Sequence, residues 1–532
     1  MMDAASVRKR VGLNTVSLWM AKLAQICLGI VLTPLLLLEL GKEGYGVCAI
    51  AMTIQSLAMI ADLRIRVALA RELAAALTNG EHERASRLAS SGMVVYLALG
   101  TLMAAVCGLA APWLAHWFNV SPALLDDTVA LIRWYGGASI LLSFLQPVYS
   151  SALAARNRFD LTNYTELAVT TSRGIVMIAV LILSTRDLLA WGVVMVLFQT
   201  VSVLAQRRLA MRVVPQIERR WALMDLRLFG SVLSLGGSLF LLRLAQLFSE
   251  TLDPIILTAF LGPGAVALYR PGLSLVRMAG PFVQTLREQL HPLTTNAHVA
   301  GDTQRLQRLL IVGTRYTILL AIPVYTVLFV FAQPIIDVWV GRALGEEAIV
   351  SARVLMGLAV VEMTVCLGGS QFPVLMGANA VGFVVKLQLP LAVLNLIVSV
   401  LLVGYTPLGV FGVVVATIAL TLVRRPLLTI YSAHVAGLTT IQYLRQAYLW
   451  PCVVLLIVAP FALALKLLFL PKTLPWLIAS AVLTSAIWLV ATWKIGLVET
   501  DRVMFRHLIS SFRLRRRNSA TASAEEPSPT GV

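Results

Sequence analysis

The sequence predicts an all-α polytopic membrane protein with about 14 transmembrane helices. The chain has 532 residues, of which 58% are hydrophobic and only 13% are charged, whereas an average soluble protein is about 25% charged. Its apolar residues form runs of roughly 18–25, which are long enough to cross a hydrocarbon layer ~30 Å thick. Because the runs show no strand-like alternation, an outer-membrane barrel is disfavoured.

Each predicted helix corresponds to one apolar run between charged segments. The first run is longer than the apolar region of a signal peptide and has no small-x-small cleavage site, so we expect it to remain as helix 1. No segment between the runs is long enough to form a globular domain. The runs lie at 12–37, 44–62, 91–111, 128–150, 166–184, 188–205, 229–250, 256–280, 310–332, 351–375, 385–403, 408–430, 447–470 and 474–494.

Positive charges are concentrated in every second loop. The net charge is +17, and one set of loops holds many arginines, such as Arg84, Arg207 and Arg305. The other set holds few cations and carries acids such as Asp126 and Glu346. This asymmetry places both termini in the cytoplasm and requires an even number of spans. Since the charges are spread between the spans, we expect no nucleic-acid partner.

Cysteine usage gives no indication of a metal, a cofactor or a disulfide. The chain has no CxxC motif and no Cys/His cluster, so we expect its cysteines to be small packing residues. The five are Cys27, Cys48, Cys107, Cys366 and Cys452, all in or beside apolar runs.

The two halves of the chain resemble each other at an offset of 221 residues. The matching positions include Gly, Pro, Arg, Gln and Trp, which are hard to match by chance in so apolar a chain. The offset becomes 222 at the last of the matched segments, because the second copy has one added residue before it. The matched segments are "KLAQ" at 22–25 with "RLAQ" at 243–246, "LG" at 40–41 with 261–262, "GEHERASRL" at 80–88 with "GDTQRLQRL" at 301–309, and "PWLAHW" at 112–117 with "PIIDVW" at 334–339.

The repeat predicts the domain organisation. Six spans per copy is an even number, so the copies share one orientation, and two six-helix lobes around a central cavity are typical of transporters with parallel repeats. The predicted parts are an N-lobe (1–205), a basic cytoplasmic loop (206–228), a C-lobe (229–432), helices 13 and 14 (433–497) and a basic, partly disordered tail (498–532).

Several cations lie inside the apolar runs, where a central Lys or Arg costs roughly 2.5–3.5 kcal/mol on insertion scales. Lys22 is about 11 residues into helix 1, or ~16 Å from its start, which places it near the midplane. Such residues normally face protein or a water-filled cavity. We predict that the deep cations bind substrate, and that two glutamines one turn from them add hydrogen bonds or pack. The candidates are Lys22, Arg243, Arg270, Arg173 and Arg277, with Gln25 and Gln246.

The alternative is that these cations form structural ion pairs. The candidate acids are Glu250, Asp253, Glu166, Asp62 and Glu362, of which only Glu362 is clearly central. Deep cations therefore outnumber deep acids, and a cationic cavity is complementary to an anion such as a phosphate, which Arg binds with forked geometry. Glu362 is the candidate residue for coupling transport to an ion gradient.

Three motifs carry a resemblance to a known group. They are "LTPLLLLELGKEGYG" from Leu32, the segment from Asp62 through Arg71 to Glu81, and "LGPGAVALY" from Leu261. With the duplicated six-helix plan, residues 7–500 resemble the polysaccharide or O-antigen flippases of the multidrug/oligosaccharidyl-lipid/polysaccharide exporter superfamily. One position departs from the family pattern, since Arg64 stands where Asp-x-Gly would place glycine.

The resemblance implies a function. A member would move a polyprenyl-diphosphate-linked oligosaccharide from the cytoplasmic to the periplasmic leaflet of the bacterial inner membrane by alternating access. Its partners would be the anionic lipid-linked glycan, membrane lipid and polysaccharide polymerase or export machinery. The glycan would serve O-antigen, capsule or exopolysaccharide biosynthesis, and no cofactor or enzymatic step would be needed.

Other functions stay open at this point. A peptidoglycan lipid-precursor flippase would also have fourteen helices and a basic cavity. A multidrug exporter that takes cations should carry unpaired central carboxylates. A membrane glycosyltransferase or polymerase usually has a large periplasmic loop with catalytic acids, and no such loop, Asp-x-Asp pair or catalytic triad occurs in this sequence.

Overall fold

The computed structural model describes residues 4–62, 65–183, 187–217, 225, 251–469 and 473–497. These residues are helical almost throughout and contain no strand, so the all-α prediction is confirmed. The helices are α1 (Ala4–Ala58), α2 (Ile65–Thr78), α3 (His82–Trp117), α4 (Leu125–Ala130), α5 (Gly137–Ala155), α6 (Phe159–Leu183), α7 (Leu188–Val213), α8 (Asp253–Leu261), α9 (Pro263–Val299), α10 (Thr303–Val330), α11 (Ala332–Leu344), α12 (Ala348–Cys366), α13 (Gln371–Gly377), α14 (Val381–Tyr405), α15 (Phe411–Val435), α16 (Thr440–Ala447), α17 (Leu449–Phe469) and α18 (Leu474–Ala491).

Eleven helical segments of the described chain are long and apolar enough to cross a membrane. One of them, Gly12–Asp62, is broken at Gly41 (φ 71°, ψ 175°), so it corresponds to the predicted helices 1 and 2. The predicted helix 7 at 229–250 lies outside the described residues. The predicted helix 8 falls within α8 and α9, which are not among the eleven. The protein is therefore a multi-pass membrane protein.

The repeat seen in the sequence is also present in the backbone. Gly41 and Gly262, 221 residues apart, share a conformation (φ 71° and ψ 175°; φ 80° and ψ 172°) that is essentially restricted to glycine. Gly80 and Gly301 both have positive φ (75° and 67°) at the same offset. Helices α6 and α14 each have 25 residues and begin and end 222 residues apart. The duplication therefore extends through the fifth helix of each copy.

The chain divides into two compact units. Unit 1 comprises Met1–Pro281, Ala332–Thr364 and Asn379–Leu428, and unit 2 comprises Phe282–Phe331, Val365–Ala378 and Thr429–Val532. Unit 1 thus contains parts of both repeats, and the lobe boundaries expected near 205 and 432 stay predictions. In unit 2 the core is built around Leu310 and Tyr443, whose hydroxyl is hydrogen-bonded to Thr314 at 2.8 Å.

Membrane orientation is directly testable on exposed positions. We expect cysteines placed at Asp126 and Glu346 to react with an impermeant thiol reagent from the periplasm, and a cysteine at Arg207 to react only from the cytoplasm, because of the loop charge asymmetry. All three side chains are exposed. The background must lack native cysteines, since Cys27 and Cys452 are exposed. Periplasmic labelling at Arg207 would contradict both the orientation and the span count.

Candidate functional site

Two of the candidate cations directly precede residues that pack against the first half of α1. Leu28 packs against Gly174 of α6, where an added Cβ would lie 2.4 Å from the leucine Cδ2. The next residue, Gly29, packs against Met278 of α9, whose Cε would lie 2.7 Å from an added Cβ. Arg173 and Arg277 directly precede Gly174 and Met278 in the sequence. Two predicted site residues are thus carried to neighbouring levels of α1 by different helices.

Arg270 is the most closely held of the cations. Its Nη2 donates to the carbonyl oxygen of Ala49 at 3.0 Å and to Oγ1 of Thr53 at 3.1 Å, both on the second half of α1. The buried Nε has no hydrogen-bond partner. Ala49 is the repeat equivalent of Arg270, since the two are 221 residues apart. This contact therefore joins equivalent helices of the two repeats at equivalent positions.

The acceptors around Arg270 are neutral. Its electrostatic neighbours include the phenols of Tyr45 and Tyr269 and a second cation, Arg277. Within the described part of the chain, neither Arg270 nor Lys22 nor Arg173 forms a salt bridge; the salt bridges there lie elsewhere. Positive charge without a paired carboxylate is what an anion site requires.

Lys22 and Gln25 lie on α1, closer to its N-terminus than the level at which α6 carries Arg173. Lys22 is half-buried, with Nζ 5.7 Å from the centre of the Trp19 ring, a cation–π contact. Six residues separate Lys22 from Leu28, so Lys22 is about 9 Å closer to the start of α1 than the Gly174 contact. Gln25 is exposed. The indole ring therefore stabilises the ammonium group through its π face and leaves the positive charge in place.

Arg173 is half-buried and has two electrostatic neighbours, Tyr135 and Glu166. Glu166 is exposed on the same helix. Tyr135 is fully buried and donates from its hydroxyl to Oε1 of Gln55 at 3.0 Å. Tyr135, an electrostatic neighbour of Arg173, is therefore bonded to the same stretch of α1 that holds Arg270.

Two of the candidate acids are hydrogen-bonded by tyrosines, and a third, Glu250, lies outside the described residues. Tyr269 donates to buried Asp253 at 2.8 Å, and Tyr96 donates to Asp62. Asp253 is also an electrostatic neighbour of Arg277. A substrate-binding role for that arginine therefore stays a prediction. Glu362 is half-buried in α12, and its coupling role stays a prediction.

Two predicted site residues, Arg243 and Gln246, lie outside the described residues. The expected pairing of Lys22 with Arg243 across a cavity is therefore still a prediction. The cations that the structure does describe come from three helices, α1, α6 and α9.

A polar network in the first repeat was missed at the sequence level. Gln55, Ser143 and Gln199 are bonded to one another: Gln55 Nε2 donates to Ser143 Oγ at 2.9 Å, and Gln199 Nε2 donates to the same oxygen at 2.8 Å. The available signal was an amide or hydroxyl in the middle of each of three apolar runs. Cations inside apolar runs are a stronger indication of a site, because burying a charge costs more than burying an amide or a hydroxyl.

Contacts between the repeats also hold α1 on the N-terminal side of, and at, its break near Gly41, which is predicted to face the periplasm. The indole Nε1 of Trp339 donates to the carbonyl oxygen of Ile30 at 2.7 Å. That carbonyl lacks its usual helical donor, because Pro34 has no backbone N–H. Further along, Lys42 forms a salt bridge with Glu347, which lies in the short turn Gly345–Glu347 directly after α11. We call these two contacts the α1–α11 clasp.

Comparison with known proteins gives one family and one fold. The sequence profile of a family described as "Polysaccharide biosynthesis protein" matches residues 11–286. No curated protein matches the sequence.

Solved structures with a similar fold are transporters. One is described as "Lipid II flippase MurJ, inward closed conformation"; it aligns with a TM-score of 0.68 at 12% identity, over 93% of this chain and 99% of that one. A multidrug resistance MATE family transporter of the MOP superfamily aligns in its inward-facing conformation with a TM-score of 0.63 at 15% identity, over 78% and 96%. The outward-facing conformation gives 0.56 at 12% identity, over 81% and 96%. At these identities the comparison shows a shared fold.

Proposed function

The chain belongs to the polysaccharide biosynthesis protein family, and we propose that it is a flippase that moves a polyprenyl-diphosphate-linked oligosaccharide from the cytoplasmic to the periplasmic leaflet of the bacterial inner membrane. The glycan would be used for a surface polysaccharide such as O-antigen, capsule or exopolysaccharide. Polymerase or export machinery would be its partner on the product side.

The observation that carries this proposal is a set of cations that form no salt bridge with any residue that the structure describes. Lys22, Arg173 and Arg270 lie in or beside membrane-spanning helices, and the hydrogen bonds of Arg270 to described residues go to neutral oxygens. A diphosphate entering a low-dielectric site needs compensating charge, because burying an unpaired ion costs several kcal/mol. Guanidinium groups supply that charge together with directional hydrogen bonds.

Alternating access requires contacts between the repeats that can break. The α1–α11 clasp joins the first repeat to the second, and so does the hydrogen bond from Asn119 Nδ2 to the carbonyl oxygen of Ala259, at 2.8 Å. These groups lie towards the predicted periplasmic ends of their helices. We propose that they form an outer gate that must open for release of the headgroup into the periplasm.

Two alternatives use the same fold. A flippase for a peptidoglycan lipid precursor is favoured by the similarity to the lipid II flippase structure. It would use the same diphosphate-binding cations, so only the glycan distinguishes it. A multidrug exporter is disfavoured, because an organic cation would be repelled by Lys22, Arg173 and Arg270.

Reconstituted protein tests the proposal. In proteoliposomes, we expect the chain to move a fluorescent polyprenyl-diphosphate oligosaccharide between leaflets, measured by loss of protection from an impermeant quencher. A polyprenyl monophosphate carrying the same glycan should be moved more slowly, because it presents less negative charge to the cations. A lipid II analogue in parallel separates the peptidoglycan alternative. Equal rates with empty liposomes for both lipids would contradict the flippase proposal.

A further inference from the structure

The polar network in unit 1 is built from three membrane-spanning helices. Gln55 comes from α1, Ser143 from α5 and Gln199 from α7. Besides the two bonds to Ser143 Oγ, Gln55 Nε2 donates to Gln199 Oε1 at 3.4 Å and Gln199 Nε2 to the carbonyl oxygen of Ser139 at 3.0 Å. Side chains that bond across three helices face the interior between them, not the lipid.

The network has unused hydrogen-bonding capacity of both kinds. Ser143 Oγ accepts from Gln55 and from Gln199, so its own proton is still available. Each amide oxygen accepts a single bond, from Tyr135 at Gln55 and from Gln55 at Gln199, and each has a second lone pair. One donor beside two acceptors suits a group that both donates and accepts, which is a hydroxyl. A phosphate would need donors, and a metal cation would need acceptors.

The side chains of the network are accessible in part. Gln55, Ser143 and Gln199 are all half-buried although they face the interior of the helices. Polar groups within the bilayer are tolerated where they line a water-filled cavity or are buried in protein. A second network, around Gln371 in unit 2, shows the buried case, since only 2% of Gln371 is exposed. The network in unit 1 differs from it, because its three side chains are only half-buried.

The fold itself does not require the network. At offsets of 221 and 222, the positions equivalent to Gln55, Ser143 and Tyr135 are Val276, Val365 and Gly357. Tyr135 lies in a π-helical segment, Leu131–Gly136, whereas Gly357 lies in the regular helix α12. Such π segments occur frequently at functional sites. At two of the three network positions, and at Tyr135, the first repeat thus has polar side chains that the second lacks, while Gln199 is matched by the polar residue Thr421.

We propose that Gln55, Ser143 and Gln199 form a carbohydrate subsite that binds hydroxyls of the glycan next to the diphosphate. Tyr135 is common to both groups, because its hydroxyl donates to Gln55 and its phenol is an electrostatic neighbour of Arg173. A headgroup whose diphosphate meets Arg173 therefore places its first sugars against the network. This inference rests on the proposed function and names the part of the substrate that the first repeat recognises.

The test compares lipids with and without sugar. We expect Ser143→Ala to raise the KM for a polyprenyl-diphosphate oligosaccharide by about fivefold, the effect of losing one neutral hydrogen bond, and to leave the KM for sugar-free polyprenyl diphosphate unchanged. Gln199→Leu should act in the same direction. The matched control is Ser150→Ala on the same helix, because that hydroxyl donates to the carbonyl oxygen of Pro147 at 3.3 Å and is already satisfied.

Failure of the carbohydrate subsite and failure of the proposed flippase function give different results. Equal KM changes for both lipids, or lower folded yield alone, would make the network a packing device and overturn the subsite. Binding is measured separately, as the thermal shift of the detergent-solubilised protein with each lipid. If the unaltered protein binds the glycosylated lipid more tightly than the sugar-free lipid but moves neither, the proposed function fails. The subsite then stands only if Ser143→Ala abolishes the preference.

Discussion

Arg270→Ala is expected to abolish movement of the lipid-linked glycan while the protein reaches the membrane at its normal level. The guanidinium is bound by Ala49 and Thr53, which are neutral, so no carboxylate is stranded when it is removed. The diphosphate, in contrast, loses a charge partner inside the membrane. Loss of a partner from a buried ion pair costs about 3–5 kcal/mol, which corresponds to a rate at least about a hundredfold lower.

Comparing substitutions that keep the charge with substitutions that remove it shows whether the positive charge is the property that transport requires. Arg270→Lys should keep part of the activity, because the charge remains but the forked geometry is lost. Lys22 should follow the same rule, with Lys22→Arg more active than Lys22→Ala and Lys22→Glu the most damaging. The measurement is the leaflet-exchange rate divided by the amount of protein in the membrane, and Arg342→Ala, which removes an exposed guanidinium, is the control.

The competing explanation is that Arg270 only ties α9 to α1. Thr53→Val removes one acceptor and keeps the cation, so it should retain most of the activity if the charge matters. If Thr53→Val is as damaging as Arg270→Ala, the tether is the essential feature. Full activity of Arg270→Ala and Lys22→Ala at normal abundance would show that the anion site is placed wrongly.

The parts predictable from sequence are those that depend on local composition and on duplication. Apolar runs report the membrane spans because backbone groups in lipid must be satisfied within a helix. Gly41 and Gly262 could be matched because their φ/ψ region essentially excludes other residues. A glycine match at equal offset therefore predicts a shared backbone conformation, which the structure has at both pairs of glycines.

The parts that could not be predicted depend on tertiary contacts. The run at 351–375 was expected to be one helix, but α12 ends at Cys366 and α13 begins at Gln371. The break is stabilised by Ser370, whose hydroxyl bonds the carbonyl oxygen of Leu310 at 2.9 Å, far away in sequence. Likewise, the sequence offers Asp253 as an ion-pair partner for a cation. The hydrogen bond that it accepts from Tyr269 has no signal in the sequence. Charge counting identifies the deep cations but not which neutral groups hold them.

The second large effect concerns the α1–α11 clasp. Cysteines replacing Lys42 and Glu347, joined by a short bifunctional thiol reagent, are expected to stop glycan movement completely, and reductive cleavage of the linker should restore it. The ion pair shows that the two side chains can meet in this conformation. If the outer gate must open at this point, a covalent link prevents release of the headgroup. The rate is measured in the same vesicles before and after cleavage.

Trp339→Phe should weaken the clasp without a covalent change. The ring is kept, but the carbonyl oxygen of Ile30 loses its donor, and Pro34 cannot supply another. Cross-linking between cysteines at positions 42 and 347 should then slow by about fivefold, as expected when one hydrogen bond no longer favours the closed state. Trp117→Phe is the matched control: Trp117 holds the equivalent position in the first repeat and stacks on Trp113, with ring centroids 5.4 Å apart.

The control also decides between a gate and a membrane anchor. Tryptophans near the ends of membrane helices commonly sit at the lipid headgroups, and an anchoring role predicts similar effects for Trp117→Phe and Trp339→Phe. A gate predicts that only Trp339→Phe changes the cross-linking rate, because only its indole replaces the N–H that proline lacks. Should the linked protein transport at the rate of the cleaved one, the contact between α1 and α11 is static, and the outer gate must lie elsewhere.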